Sequence, residues 1–557
     1  MVIPKVKANN KIYCFLLIAL GLILIIPVLD TKIIPGHDHI FHVSRIEATA
    51  EALLQGIFPV RMCVDQVQFW GAPTGIFYPI LFSYIPALLK ITGVPIEICY
   101  NIFIASIVYL GLFASWYGFS LLTRSKHIGL LSAILYISSG YFLFDAYMRN
   151  ALGELISLAV MPLAIACIIC IVNKTKANRK IYLLAIFSIS AIIESHVLNA
   201  IFLALFGIIY CIIFHKKLTF TKLMRISYLS TILFLLNASF IVPFLVFYKE
   251  VPLNIHFVND FSHNGFKPTT LFNFIIFWNS WLVISLYIFF KRNQLNSKNK
   301  SSFKRKQFNY YFWYFLLGSF FIFASSSAFP WDYLYPLREL CKVMQFPWRF
   351  LGPASLFLSV CGGFGLHLLL KTINITPNNT NKLVLISILI CSYHMLAFTF
   401  LSPLKVYGNW DMYEKCYWNR KPFYSDEDYL YKDMDAITLY KQGDHFITDA
   451  KITNWKKVLT TISFSYETTT DTKITLPLIN YPGYVVTNQS NEKVPIKKND
   501  NQMMVIQLPK GNGQFTVKYE GLLTFRFADY SSATMLAAIL GYTCLYSILN
   551  LCIPKNE

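Results

Sequence analysis

Long apolar runs recur along most of this chain and constrain its fold more than any other feature. Many of them reach the roughly 20 residues that span about 30 Å of hydrocarbon. Because lipid offers the backbone no hydrogen-bond partner, such runs must form helices. Only 14% of the residues are charged, against about 25% in soluble domains. The sequence therefore predicts a polytopic α-helical membrane protein.

The basic residues between the runs predict its orientation. Lysines precede the first run, and later Lys and Arg clusters fall in short loops of the kind found in the cytoplasm. This pattern explains the formal net charge of +20 without nucleic acid. It predicts about twelve spans, with both termini in the cytoplasm. The predicted spans lie near 12–29, 97–122, 128–145, 151–172, 181–196, 198–214, 226–246, 270–290, 309–326, 349–370, 383–402 and 532–552.

The remaining segments fall on the outer face in this arrangement. Residues 1–402 are predicted to form the transmembrane domain, whose first outer loop covers 30–96. Within that loop, 77–90 contains two prolines and is expected to be a helix lying in or dipping into the outer interface. Residues 403–530 are predicted to form an extracytoplasmic, mostly β, sandwich-like domain, because apolar alternation is interrupted there by turn-forming residues. Residues 531–557 supply a final helix and a cytoplasmic tail.

The first outer loop contains the densest polar pattern. At helical spacing Asp38, His42, Arg45 and Thr49 share one face of a predicted helix. A surface amphipathic helix with a capping aspartate is the plainer interpretation. The neighbouring His37 and His39, together with Asp38 and His42, also allow a divalent metal site, although their spacing is loose.

Two further polar clusters follow at the ends of predicted spans. The first holds Asp145, Arg149 and Glu154; charged groups at a membrane are functional candidates, although Asp145 and Arg149 are four apart and can simply pair. The second holds Arg338 and Arg349, and guanidinium groups bind phosphate well. Aromatic and basic anchoring at the interface is the alternative. Candidate substrate-lining residues near these clusters and the first loop are His39, Tyr78, His196, Gln345 and Trp348.

Several motifs resemble those of bacterial YfhO-like membrane proteins of the GT-C glycosyltransferase superfamily. They are Gly36, Asp38, Phe41 and His42 in G-x-D-x-x-F-H, Arg45–Ile46, Gly56–Arg61, Phe77–Ile80, Tyr147–Glu154, Gln345–Phe350 and Tyr481–Tyr484. The resemblance covers nearly the whole chain. It implies transfer of a sugar from a polyprenyl-phosphate carrier to an acceptor on the outer face of the bacterial cell membrane.

The resemblance also implies roles for individual residues. Asp38 occupies the position of the usual catalytic acid of these enzymes. Many relatives place a second acid beside it, whereas here the neighbour is His39. A distant second acid is therefore left open, and the candidates are Asp65, Asp145 and Glu154.

A mechanism follows from these assignments. Asp38 is expected to act as the base, tuned or oriented by His42 or Arg45. Arg149, Arg338 and Arg349 are expected to stabilise the departing phosphate. No nucleotide cofactor is expected, and a divalent metal is left open. The expected acceptor is an envelope teichoic acid, polysaccharide or glycolipid.

Two other classes of function remain alternatives. A flippase or transporter for a lipid-linked glycan also uses a basic cavity, but it should show charges near mid-membrane or repeated halves. A non-catalytic envelope-assembly scaffold would need none of the three clusters.

Overall fold

The computed structural model describes residues 10–30, 32–33, 36–63, 70–173, 178–253, 302–334, 344–372, 380–401, 429–432, 434 and 445–552. Within these ranges the chain is mainly helical and ends in a small β domain followed by a long helix. The helices are α1 Asn10–Leu24, α2 His39–Leu54, α3 Thr74–Phe77, α4 Tyr84–Ile91, α5 Ile96–Thr123, α6 Lys126–Ile137, α7 Gly140–Phe144, α8 Leu152–Asn173, α9 Arg179–Ile193, α10 Val197–Ile213, α11 Phe220–Leu236, α12 Ala238–Glu250, α13 Ser302–Ala324, α14 Leu351–Thr372, α15 Thr380–Leu401 and α16 Leu523–Cys552.

Helices occupy every predicted span except 270–290, which lies outside the described residues. By length and apolarity, 3 helices of the described chain are able to cross a membrane, or up to 5 if each bent pair counts as one span. One bent pair is α11 and α12, which meet at 76° where a single span was predicted. The count of about twelve spans therefore remains a prediction. The segment 77–90 is largely helical, as expected, in α4 and the short turn Leu81–Ser83.

The described residues divide into two compact units. The first falls within Met1–His39, Pro95–Leu223 and Phe257–Gly408, and the second within Ile40–Val94, Met224–His256 and Asn409–Glu557. Both units are discontinuous in sequence, whereas the predicted domain boundaries at 402 and 530 follow the chain in order.

Closely packed helices form the core of the first unit. Helix α5 packs against α6 and α8, and α14 packs against α6 and α13. Small residues permit the close approaches: a Cβ added to Gly118 of α5 would lie 2.7 Å from the backbone of Pro162 in α8. This packing holds the N-terminal end of α8, which carries part of the candidate site, against its neighbours.

A two-sheet β sandwich dominates the second unit. Its strands are β1 Lys451–Val458, β2 Thr461–Thr468, β3 Thr472–Ile479, β4 Tyr484–Asn488, β5 Lys493–Val494, β6 Lys497–Lys498, β7 Met503–Leu508 and β8 Gly511–Tyr519. One sheet has the order β1-β2-β8-β4-β5 and the other β3-β7-β6. The alternating segments that predict strands in the sequence are ITLPLI, GYVVT, QMMVIQL and QFTVKYEG, and they correspond to β3, β4, β7 and β8. Apolar residues of both sheets share one core with the aromatic residues of α12 and α16.

An ion pair connects the first loop to the last helix inside the second unit. Nη2 of Arg61 lies 2.6 Å from Oδ1 of Asp529 in α16, and the hydroxyl of Ser239 in α12 donates to the same oxygen. The guanidinium also lies 5.3 Å from the ring centre of Phe525. Arg61, the last residue of the G-I-F-P-V-R motif, is thus an anchor between segments that are distant in sequence.

Candidate active site

The candidate site of the first unit begins with a main-chain contact between residues 36–38 and 148–150. The backbone N–H of His37 donates to the carbonyl of Met148 at 3.1 Å, and that of Asp38 donates to the carbonyl of Arg149 at 2.8 Å. Only glycine fits at position 36, because an added Cβ would lie 2.6 Å from the carbonyl oxygen of Met148. These contacts place Asp38 beside Arg149.

Arg149 is the centre of an ionic cluster. Its Nη1 lies 2.8 Å from Oδ1 of Asp145 and 2.7 Å from Oε2 of Glu154, while its Nη2 lies 3.7 Å from Oδ2 of Asp38. The side chains of Asp145 and Glu154 are 0% and 3% exposed, whereas that of Asp38 is 40% exposed. Of the three acids, Asp38 is therefore the one that a substrate can reach.

Local structure explains how this cluster forms. Residues Asp145–Arg149 make a π-helical turn that continues α7, and α8 begins at Leu152, close behind. Asn150 adopts a left-handed backbone conformation, with φ 56°, between the two. The chain reverses sharply there, so acids on both sides of the reversal meet one guanidinium. The pairing of Asp145 with Arg149 that the spacing allowed is present.

Arg349 joins the same cluster from the short 3-10 turn Pro347–Phe350, which precedes α14. Its Nε lies 3.7 Å from Oε2 of Glu154, and its Nη1 donates to the carbonyl of Met344 at 3.0 Å. Three carboxylates and two guanidinium groups give the five side chains a formal charge of −1. Among the described residues, Oδ2 of Asp145 and Nε of Arg349 are buried without a hydrogen-bond partner. Such atoms mark the places where water or a ligand oxygen would be bound.

Glu154 is held from several sides. The phenol of Tyr141 donates to its Oε1 at 2.6 Å, and the hydroxyl of Ser157 donates to its carbonyl at 2.6 Å. Asn199 in turn donates to Ser157. His196, at the start of α10, is buried and accepts a hydrogen bond from the backbone of Asn199 at 3.4 Å. Glu154 is thereby fixed between Arg149 and Arg349.

Tyr141 is a residue that the sequence reasoning missed, and a simple signal was present. Positions 141, 145 and 149 are spaced four apart, which places them on one side of a helix. Replacing Tyr141 with Phe is expected to lower activity several-fold, because Glu154 loses a buried donor and its hold on Arg149 changes. The accompanying loss of stability should be about 1 kcal/mol.

A matched control isolates this effect. The phenol of Tyr136 is equally buried and donates to the carbonyl of Leu158 at 3.0 Å, which is not one of the charged groups of the cluster. Tyr136→Phe should lose a similar amount of thermal stability and keep its activity. Equal activity losses in the two variants would show that Tyr141 acts only through packing.

The carboxyl of Asp38 has an unusual environment for its position outside the helices. Partial burial raises its pKa above the ordinary value, and the positive charge of Arg149 opposes that rise. Burial also lowers the pKa of the neighbouring His39, against the effect of its bond to the carbonyl of Gly36. A carboxylate with a raised pKa is a stronger base than an ordinary aspartate, which suits proton removal.

The predicted partners His42 and Arg45 lie in the second unit, where their contacts are well defined. Arg45 donates to the carbonyls of Tyr78 and Pro79 at 3.1 and 2.7 Å, and its guanidinium lies 4.5 Å from the ring centre of Tyr78. His42 is buried with its ring edge-on to Tyr78. Helix α2 begins at His39, and His42, Arg45 and Thr49 form a buried face of it rather than the solvent-facing side of a surface helix.

The remaining predicted site residues are distributed as follows. Asp65 and Arg338 lie outside the described residues. Gln345 has a left-handed backbone, with φ 64°, and the ring of Trp348 stacks on that of Phe346 at 4.1 Å. The Nδ1 of His39 lies 2.7 Å from the carbonyl oxygen of Gly36. In the described part of the chain, no group of three or more His, Cys, Asp or Glu side chains is arranged to hold a metal ion.

Comparisons with known proteins return partial structural likenesses. The chain aligns with ArnT from Cupriavidus metallidurans bound to undecaprenyl phosphate with a TM-score of 0.40 and 14% identity, covering 68% of this chain and 62% of that one. The alignment with the arabinofuranosyltransferase AftD from Mycobacteria has a TM-score of 0.42 and 15% identity, and it covers 70% of this chain and 27% of that one. The alignment with the Archaeoglobus fulgidus oligosaccharyltransferase has a TM-score of 0.42 and 13% identity, and it covers 75% of this chain and 59% of that one.

These likenesses leave the family as an expectation from the motifs. The chain spans less than two thirds of each of these three proteins, and the scores and identities are too low to establish a shared fold. No family model matches the sequence. No curated protein matches it either.

Proposed function

We propose that this protein is a membrane glycosyltransferase of the GT-C type, with Asp38 as its catalytic base. The donor is a sugar on a polyprenyl-phosphate carrier, and the acceptor is an extracytoplasmic envelope teichoic acid, polysaccharide or glycolipid. The observation that carries this proposal is the placement of the half-exposed carboxyl of Asp38 beside buried Arg149, at 3.7 Å. A reachable acid held next to a fixed cation has the geometry of a general base.

The reaction follows from this arrangement. Asp38 removes the proton from the acceptor hydroxyl, and the freed oxygen attacks the anomeric carbon of the sugar. The bond from that carbon to the phosphate oxygen breaks, and polyprenyl phosphate leaves with the electron pair. One direct displacement inverts the anomeric centre. The proton on Asp38 then passes to solvent, which its exposed side can reach.

The departing phosphate needs positive charge in the transition state. Arg149 already faces three carboxylates, so its first role in this proposal is to hold Asp38 ionised and oriented. Among the described residues, Arg349 has one carboxylate within ion-pair distance, and it is the better candidate for the phosphate. Because the described side chains have a formal charge of −1, Arg338, which belongs to the same polar cluster of the sequence as Arg349, is also required. The residues that remain predicted to line the substrate are His39, Tyr78, His196, Gln345 and Trp348. Two others, His42 and Arg45, remain predicted to tune the site.

The pH dependence of transfer follows from the environment of Asp38. A base works only when deprotonated, and the pKa of Asp38 is raised. Activity should therefore be full above that raised pKa and be lost as the pH falls through it. The acid limb is expected at a higher pH than an ordinary aspartate would give. An acid limb at the position of an unperturbed aspartate would contradict the role of burial at this carboxyl.

The proposal is tested by supplying the purified chain with a polyprenyl-phosphate-linked radiolabelled sugar and a crude envelope glycan fraction. Label should move from the lipid phase to the glycan, and released polyprenyl phosphate should accumulate in equal amount. In proteoliposomes, movement of the intact lipid-linked sugar across the bilayer without cleavage would instead identify a flippase. If neither transfer nor translocation is observed, that result would support a scaffold.

A further inference from the structure

A row of polar residues crosses the outer side of the five-stranded sheet from one edge to the other. In register it runs through Lys456, Ser463, Thr516, Thr487 and Lys493, one residue from each of β1, β2, β8, β4 and β5. Successive side chains of a strand point to opposite faces. The alternate residues of β2, β8 and β4 are buried in the core of the sandwich, so this row faces away from the core.

Positive charge dominates this face. Three exposed lysines lie on it: Lys456, Lys493 and Lys518. Gln514 is also exposed and lies on β8, two residues before Thr516. Lys518 is in register with Val485 of β4 and lies on β8, two residues after Thr516 of the row. The face therefore combines three cations with an amide and three hydroxyl side chains.

The carboxylates nearest this face already have partners. Glu467, at the end of β2, lies 3.4 Å from Lys451 on β1. Glu492, beside the turn before β5, accepts a hydrogen bond from Asn488 at 2.9 Å. Glu520, two residues after Lys518, lies 3.5 Å from Arg526. Among the described residues, none of these three carboxylates lies within ion-pair distance of Lys456, Lys493 or Lys518, so the lysines remain available to an anionic partner.

We propose that this face binds a linear anionic glycan polymer. Adjacent strands lie about 4.8 Å apart, so the two edge lysines are separated by roughly 19 Å across the sheet. That distance corresponds to several units of an extended polymer. Hydroxyl and amide side chains supply hydrogen bonds to its hydroxyl groups, and the lysines pair with its charges. The polymer is the acceptor if the proposed transferase function holds, and only this assignment rests on that function.

A different role for lysine explains part of the pattern. Edge strands often carry lysine because it prevents pairing with other sheets. That role accounts for Lys456 and Lys493, which lie on the edge strands β1 and β5. It does not account for Lys518, because β8 is the central strand of the sheet. An exposed cation on the central strand favours a binding surface.

The test compares binding of phosphorylated dextran and unmodified dextran to the full chain in detergent. The test variant combines Lys456→Gln, Lys493→Gln and Lys518→Gln. The control variant combines Lys473→Gln, Lys497→Gln and Lys510→Gln, which removes the same charge from exposed positions on β3, on β6 and in the turn after β7. Both variants should fold, since all six lysines are exposed.

The expected result is salt-sensitive binding of phosphorylated dextran that is roughly tenfold weaker in the test variant. The control variant should bind like the wild type. Equal weakening in both variants would reduce the effect to net charge, and equal affinity for the two dextrans would show a merely solvated face; either result overturns the proposal. Asp38→Asn separates it from the transferase function, because that variant should lose transfer and keep binding. If Asp38→Asn keeps transfer while the lysine effect persists, the transferase mechanism fails and the binding face stands.

Discussion

Replacing Asp38 with Asn is expected to reduce sugar transfer by about 10²–10⁴-fold, the usual contribution of a general base. Asparagine keeps the size of the side chain, and the main-chain bond from position 38 to the carbonyl of Arg149 does not depend on the carboxyl. The variant should therefore fold and reach normal abundance. Only its ability to accept a proton from the acceptor hydroxyl is removed. Transfer is measured from a labelled polyprenyl-phosphate donor at equal protein amounts.

Asp30→Asn provides the matched control. Asp30 is exposed and lies eight residues earlier in the sequence, and the hydrogen bond that its backbone carbonyl accepts from Asn101 at 2.9 Å is kept in the variant. This variant should transfer at the wild-type rate. Wild-type activity in Asp38→Asn would remove Asp38 from the mechanism. Equal losses in the two variants would point to a general effect of charge on this loop.

Replacing Arg149 with Leu is expected to lower the free energy of unfolding by about 3–5 kcal/mol, the effect of leaving buried charges uncompensated. Asp145 and Glu154 are almost completely buried, and each forms its short ion pair with this one guanidinium. Leucine neither neutralises them nor donates hydrogen bonds. Thermal unfolding in detergent, followed by the fraction that remains monodisperse, measures the loss.

An exposed pair supplies the control for Arg149. Arg526 lies 3.5 Å from Glu520, and the two side chains are 55% and 37% exposed. Arg526→Leu should change stability by no more than about 1 kcal/mol, because solvent screens such pairs. If Arg149→Leu proves equally mild, the acids of the cluster must be neutralised by protons or solvated by water, and the ionic account of the site is wrong.

Hydropathy predicted most helices because a span in lipid needs a run of about 20 apolar residues. Such a run must be helical, since only a helix satisfies its own backbone hydrogen bonds there. It could not predict the break between α11 and α12, where the sequence remains apolar through the bend. Four strands of the β domain were predicted from apolar alternation, and β1 and β2 were missed. β1 is a mostly polar edge strand with little such alternation. In β2 the alternation of Ile462, Phe464 and Tyr466 was present in the sequence and was overlooked.

The candidate site was predicted in part. The convergence of Asp38, Arg149 and Arg349 followed from placing three polar clusters on one side of one membrane, and the structure brings these residues into one cluster through Glu154. The sequence could not show that Arg149 is saturated by carboxylates, since that depends on the chain reversal at Asn150. It also suggested that Arg45 tunes the base, whereas its defined contacts are with the carbonyls of Tyr78 and Pro79.

The central claim is that the carboxylate of Asp38 takes the acceptor proton, and a pH profile of single-turnover transfer tests it most directly. Purified wild type and Asp38→Asn are compared across the acid range with the same donor. The wild-type rate should fall with a single protonation, and the small residual rate of the variant should show no such limb. The same acid limb in Asp38→Asn would assign the titrating group elsewhere and contradict the mechanism.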